Sequence, residues 1–252
     1  MEWRLQGIRV VLYTTPAALP DAEEVWKKIL SPRLPENVQR PKGMGMPQSM
    51  ASGSVRGNQL SVTIQPSRID LIVSPETNNW ADENIDGPSL DDLLKPSVVY
   101  GQKIIEMCSG TRAALVTDAF KHASSYSDAQ RMFQEELDFV PHLNDVRDIN
   151  FQVNPSKPFS NWPNQKMFRL CRWSTASMQL FNMQIAGGHF GSTLSPATGP
   201  IEQKHILSFQ TDLSGEPLAG APLDSGTLKD MLREMGDETG KLLLNGFEGL
   251  RQ

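Results

Sequence analysis

Leu60-Ser61-Val62-Thr63-Ile64-Gln65-Pro66-Ser67-Arg68-Ile69-Asp70-Leu71-Ile72-Val73 is the stretch that decides the fold class. Apolar residues recur with a period of two on both sides of the polar break Gln65–Arg68, and a short turn between two such runs predicts a β-hairpin. An antiparallel pair so early in the chain sets the expectation for the rest. Upstream, Ser31 to Gly57 is rich in Pro, Gly, Ser and Met with neither period, and reads as the longest loop. Before it, Val25, Trp26, Ile29 and Leu30 fall at helical spacing behind acidic first-turn residues, which predicts a helix over 21–30. Residues 3–14 alternate in part and are β-branched, which predicts a strand with Arg4 and Arg9 near solvent.

Downstream, Ser89-Leu90-Asp91-Asp92 has the form of a capping box, but Pro96 interrupts the run, so two short helical pieces are expected through Cys108. Arg112 to Phe120 reads equally as strand or helix. Ser127-Asp128-Ala129-Gln130 opens a helix with Met132, Phe133, Leu137 and Val140 on one stripe, closed by Pro141. Residues 149–153, 167–185 and 205–211 alternate and predict three antiparallel strands. Thr227-Leu228-Lys229-Asp230 then starts the clearest helix, with Leu228, Met231, Leu232, Met235, Leu242, Leu243 and Phe247 on one face and Gly236 and Gly240 within it.

Strands in two groups with helices between them predict an α+β fold: a mainly antiparallel sheet with helices packed on one face, not a doubly wound sheet. The chain reads as a single domain, 1–252, with 1–140 and 141–252 as the alternative lobes. The two strand groups invite comparison as half-repeats, but no shared motif is visible.

The chain has 252 residues, 38% hydrophobic and 21% charged, enough for a sizeable core and far from a disordered composition. A net charge of −5 argues against a protein whose main work is gripping phosphates, although a local basic patch is compatible with it. Cys108 and Cys171 lack a CxxC spacing, so a reducing, cytoplasmic setting is expected, and no secretory leader or membrane span is read.

The histidines His122, His142, His189 and His205 form no HxH or HExxH pattern, and no metal or cofactor is expected, although Cys171, His189 and His205 could converge in space. Gly187-Gly188-His189-Phe190-Gly191-Ser192-Thr193 lacks the spacing of a phosphate loop and reads as a strand connection. Asp82, Glu83, Asp86, Asp91 and Asp92 lack EF-hand order and read as a solvated face. No GxSxG elbow is present.

Two segments carry binding expectations. Met44, Met46 and Met50 bring adaptable thioethers to the long loop and suit a protein contact. Lys157, Lys166, Arg169, Arg172 and Trp173, interleaved with Phe159, Trp162 and Phe168, form the basic-aromatic mixture of single-strand binders. The bland alternative puts those aromatics in the core and the basic groups at strand edges.

Ile149-Asn150-Phe151-Gln152-Val153-Asn154-Pro155, Arg172-Trp173-Ser174-Thr175 and the capped C-terminal helix resemble a sporadically distributed, functionally uncharacterised family of bacterial hypothetical proteins of similar length. The likeness spans residues 146–250 and implies a bacterial accessory protein encoded beside mobile or defence genes; it transfers no catalytic residue. The resulting expectation is a non-catalytic interaction protein binding another protein, in which self-association is one option. A nucleic-acid-binding subunit and an enzyme with a site assembled from distant residues are the alternatives.

Overall fold

The computed structural model describes residues 3–15, 19–43, 47–76, 89–140, 149–180, 183–188, 191–196, 202–217 and 222–251. The strand Arg4–Thr14 (β1) alternates Ile8, Val10 and Leu12 toward one face and leads to the helix Ala22–Leu30 (α1). Asp21 caps α1 by accepting from Glu23 N, and the Glu24 side chain reaches back to the cap in a capping box. Strands Asn37–Gln39 (β2), Ser49–Val55 (β3), Asn58–Gln65 (β4) and Arg68–Pro75 (β5) follow, then the helix Leu90–Ile105 (α2). Gly110–Ala123 (β6) and Tyr126–Glu136 (α3) begin a second series. It continues with Asn150–Val153 (β7), Ser156–Pro158 (β8), Lys166–Leu180 (β9), Met183–Gly188 (β10), Gly191–Pro196 (β11), Glu202–Gly215 (β12) and Ser225–Asn245 (α4), closed by a 3-10 turn at Gly246–Leu250.

Ten strands form one antiparallel sheet in the order β2-β3-β4-β5-β1-β6-β12-β9-β7, with β8 also on β9; β10 and β11 pair separately. The expected α+β class, antiparallel sheet and one-sided helices are what the structure shows. The hairpin of residues 60–73 pairs as its alternation requires, Leu60 with Val73 and Ile64 with Ile69. Odd-numbered residues of β6, β9 and β12 face the helices, among them Leu115, Trp173, Phe209 and Leu213, all fully buried.

The order of the sheet reveals a repeat. In each half a first strand is followed by a helix, then by strands that fold back to lie beside it, then by a long helix. The first half runs from β1 to α2 and the second from β6 to α4, and they meet where β1 pairs with β6, Val10 opposite Leu115. The long helices match in detail: Gly101 stands twelve residues after the N-cap Ser89, and Gly236 twelve after the N-cap Asp224. Each glycine sits against the other helix, Gly101 at Leu232 and Gly236 at Val98. The repeat divides the chain between α2 and β6, a different place from the 140/141 boundary of the alternative lobes.

Three local expectations are corrected and one open alternative, residues 112–120, is settled. Residues 31–57 are not a bare loop, because β2 and β3 lie within them. In β3 the buried alternates are Ser49, Ala51, Gly53 and Val55, of which the first three are too small to give a hydropathy signal; α1 lies close there, and Ser49 Oγ accepts from Ala22 N at 2.9 Å. Pro96 does not split α2, a continuous 16-residue helix. The bond Pro96 cannot donate would have gone to the carbonyl of Asp92, an exposed residue whose carbonyl water can satisfy. Residues 112–120 are strand, since β6 needs both neighbours in the sheet. The caps of α3 and α4 lie upstream of the expected boxes, at Ser125 and Asp224.

A Cβ at Gly101 would lie 2.7 Å from Leu232 Cδ2 and 2.8 Å from Val10 Cγ1, so the α2–α4 crossing tolerates no side chain there without movement. Gly101→Ala is expected to lower stability by about 1–3 kcal/mol through overpacking. Gly57→Ala, at φ +76° in the β3–β4 turn with open space around it, should cost about 1 kcal/mol from backbone strain alone. Urea midpoints at unchanged m-value measure both.

Candidate functional site

With all four helices on one side, the other face of the sheet is bare of described helices. It includes the alternate residues of seven strands: Ser61 and Thr63 of β4; Arg68, Asp70 and Ile72 of β5; Arg9, Val11 and Tyr13 of β1; Arg112, Ala114, Val116 and Asp118 of β6; Gln210, Asp212 and Ser214 of β12; Leu170, Arg172 and Ser174 of β9; Asn150 and Gln152 of β7. Each of these positions follows from the pleat, because the residues between them are the apolar ones committed to the helices. Nine strands at about 4.8 Å span roughly 40 Å, and six residues along a strand span about 20 Å, giving a face of roughly 800 Å2.

This face is polar, carries both signs of charge, and is incompletely paired. Arg68 bonds Asp70 Oδ2 through Nη2 and Nε at 2.9 and 3.0 Å, and Gln65 Nε2 adds a third donor at 3.2 Å. Asp70 Oδ1 is nevertheless buried without a hydrogen-bond partner, and so is Arg112 Nε, whose guanidinium lies 4.8 Å from the centre of the Tyr13 ring. Gln210 donates to Asp118 at 2.6 Å, and Arg172 donates twice to Gln152 Oε1, at 3.0 and 2.7 Å. Burial pushes the Asp212 carboxyl above the usual range, and the charges of Arg112 and Arg9 offset this only in part. Arg9, opposite Val116 and one strand from Asp212, is exposed.

The binding residues expected from sequence are divided by the fold. Met50 lies half-buried on β3, toward one end of the bare face, while Met44 and Met46 lie outside the described residues. Arg172 is on the same face at the far end, and Lys166 is exposed at the start of β9. Lys157, Arg169 and Trp173 point to the helix side. Trp173 stacks on Phe209, centroids 4.5 Å apart, in an aromatic cluster with Phe151 and Phe247. Lys157 Nζ and Arg169 Nη1 both bind Glu238 of α4, at 2.5 and 2.7 Å, and Arg169 Nη2 donates to Leu250 O at 3.2 Å. The five members of the basic-aromatic set thus do not form one surface.

The residues named for an assembled enzyme are also separated. Cys171 is opposite Thr211 and His205 opposite Ser177, so six residues of β9, roughly 20 Å, part them. Burial pushes the Cys171 thiol up to about 12, and the Glu238 charge adds to this against the opposing effect of Arg169. His205 Nδ1 is 2.8 Å from Ser177 Oγ, and His122 stacks edge-on with Phe120. His142, His189, Asp82, Glu83 and Asp86 lie outside the described residues; Asp91 pairs with Lys95, and Asp92 belongs to the cap of α2. Gly187 and Gly188 pair with Ser192 and Gly191 in the β10–β11 hairpin. Among the described residues no group of three His, Cys, Asp or Glu could hold a metal ion, and no helix is long and apolar enough to cross a membrane.

What sequence reasoning missed is the bare face itself. Its signal was present in the polar alternates of each strand, such as Ser61, Thr63, Arg68 and Asp70, but their common plane appears only when seven strands are aligned.

Glu238 gives a test of the helix-side ion cluster. Burial alone would raise its carboxyl, but the hydrogen bonds and charges of Lys157 and Arg169 outweigh it and hold it below the ordinary 4.5. A depressed carboxyl contributes stability that is full above the ordinary value and lost as pH falls through the lowered one. Glu238→Gln, which leaves two cations facing a neutral group, should lose about 3 kcal/mol at pH 7. The gap from the parent protein should narrow steadily below pH 4.5, as followed by urea denaturation across pH. No family model, curated protein or solved structure matches this chain.

Proposed function

We propose that this chain is a non-catalytic binding protein of a reducing, cytoplasmic compartment, acting through another protein that it engages with the helix-free face of its sheet. The observation that carries the reading is the set of charged groups on that face whose pairing is incomplete, above all Asp70 Oδ1 and Arg112 Nε. A buried polar atom without a partner costs about 1–3 kcal/mol, and a partner that draws the Asp70 and Arg112 side chains toward it recovers part of that on binding. A face of roughly 800 Å2 matches one side of a standard-size protein interface. The mixed charges favour a protein surface over a run of phosphates, since Asp70, Asp118 and Asp212 lie among the arginines. Both cysteines are free, which supports the reducing setting. The likeness of the C-terminal motifs to bacterial accessory proteins supports a bacterial complex of the defence or mobile-element kind.

A second reading, single-stranded nucleic acid on the same face, is favoured by one feature: Arg9, Arg68, Arg112, Lys166 and Arg172 outnumber the three aspartates there although the chain as a whole is acidic. Reversing Arg9 and Arg172 to Glu separates the two. The protein reading expects a stoichiometric protein partner, isolated from the native cell by cross-linking, to be lost from the variant while the urea midpoint stays within about 0.5 kcal/mol of the parent. Oligonucleotide binding at low salt that disappears in the variant and weakens steeply with salt establishes the second reading instead. Recovery of the same partner by parent and variant alike, with no oligonucleotide binding that the variant loses, overturns both uses of the face.

A further inference from the structure

On the opposite, helix-bearing side, a cavity of about 700 Å3 opens between α2 and the β3–β4 turn. Leu60 and Val73 line it from the sheet, Pro96, Val99 and Tyr100 line it from α2, and Val99 is 48% exposed. The repeat shows what belongs at such a place. Ten residues after its N-cap, α4 carries Glu234 where α2 carries Val99. In the second half the connection between β8 and β9, residues 159–165, folds onto α4: Ser160 N donates to both Glu234 oxygens at 3.0 Å, Ser160 Oγ donates at 2.9 Å, and Phe159 is buried to 1%. In the first half the connection between β3 and β4 is only Arg56-Gly57, both at positive φ, and is too short to reach back over α2. The connection that closes over α4 in one half, with Phe159 buried beside Ser160, is missing in the other, where a groove remains.

We infer that the groove between α2 and the β3–β4 turn is a docking site for a segment of a partner protein that inserts an aromatic side chain, with a lysine or arginine within two positions of it. The aromatic requirement follows from the apolar walls of the groove and from the buried ring of Phe159, carried by the connection that closes over α4 in the other half. The basic requirement follows from the rim, where Glu76, Asp91 and Asp92 exceed Arg56 and Lys95 by one negative charge; Asp91 pairs with Lys95, Asp92 caps α2, and neither Glu76 nor Arg56 has an ion pair among the described residues. Val99 in place of Glu234 fits the same occupant: α2 offers a side chain that packs against a ring, not one that anchors a backbone amide. The volume suits one aromatic residue and its neighbours, within the range of sites that enclose compact ligands.

The groove and the helix-free face lie on opposite sides of the sheet, so each stands or fails alone. The test is to pan a phage-displayed library of random twelve-residue peptides on the full chain and on Val99→Glu. Val99 is exposed, so the variant should keep the parent's circular dichroism and urea midpoint. A Glu76→Lys/Asp91→Lys variant, altered only at the rim, provides a second arm should Val99→Glu fail to fold. Enriched peptides are expected to carry Phe, Tyr or Trp beside Lys or Arg, to bind Val99→Glu at least tenfold more weakly, and to bind the rim variant several-fold more weakly. No enrichment over an unrelated control protein overturns the inference. So does equal binding to parent and variants, or a parent chain that forms a dimer abolished by Val99→Glu, since the groove would then be an interface between copies.

Discussion

The antiparallel pairing of β1 with β6 is the contact on which the architecture depends. Each half of the repeat supplies strands with one apolar face and a long helix to cover it, but the central strands lie at the boundary, where neither helix alone can shield them. Val10 and Leu115 stand opposite one another there, and α2 and α4 must come together above them. The glycines explain how they approach so closely: Gly101 rests against Val10 and Leu232, and Gly110, at the head of β6, rests against Leu12 and Leu228. Side chains at these points would force the helices off the sheet. Burial of the central apolar strip, at about 25 cal/mol per Å2, and close packing of the crossing therefore act on the same residues and join the halves into one continuous sheet.

That arrangement leaves a sheet of ten strands with the described helices on one side only, and this asymmetry is written in the alternation of the strands. A strand covered on both faces reads as an uninterrupted apolar run, whereas β4 reads Leu-Ser-Val-Thr-Ile and shows a committed face and a polar one. Toward the middle of the bare face the polar side chains grow longer and charged, and Val11, Ala114 and Ser214 are buried among their neighbours despite the absence of a described helix above them. Asp70 and Arg112 are therefore held in surroundings drier than a sheet surface normally provides, which is why their unpaired atoms matter more than the exposed lysines do.

Legibility in the sequence followed side-chain size. The hairpin of 60–73 and the final helix were readable because large apolar residues marked their period, and α1 because its acidic first turn and apolar stripe agreed. β3 was invisible because Ser49, Ala51 and Gly53 are buried for their smallness, a property hydropathy does not record. α2 was broken too readily at Pro96, since the penalty of an interior proline depends on where the lost hydrogen bond falls and whether packing sustains the turns on either side. The basic-aromatic run of 157–173 allows two readings, one binding surface or aromatics in the core with basic groups at strand edges, and strand alternation, which sends Arg169 and Trp173 to one face and Arg172 to the other, divides the set. The repeat stayed hidden because its signature is not a shared motif but two glycines at equal distance from two different capping residues.

The two halves differ most where their connections differ in length, and the side chains on the long helices differ with them. Where residues 159–165 fold back, α4 presents Glu234 to their amides and Glu238 to Lys157 and Arg169, so the carboxylates are satisfied as the segment settles. Where Arg56 and Gly57 turn directly into the next strand, α2 presents Val99 at the position of Glu234, and Lys103 stands at that of Glu238. A carboxylate over an empty groove would be well solvated, and exposure to water does not by itself select a valine there. The chain thus carries an apolar side chain at the one place on α2 where its own repeat shows a segment can dock, and no described part of the fold uses it. Stability alone gives that valine no advantage; contact with something that covers it does.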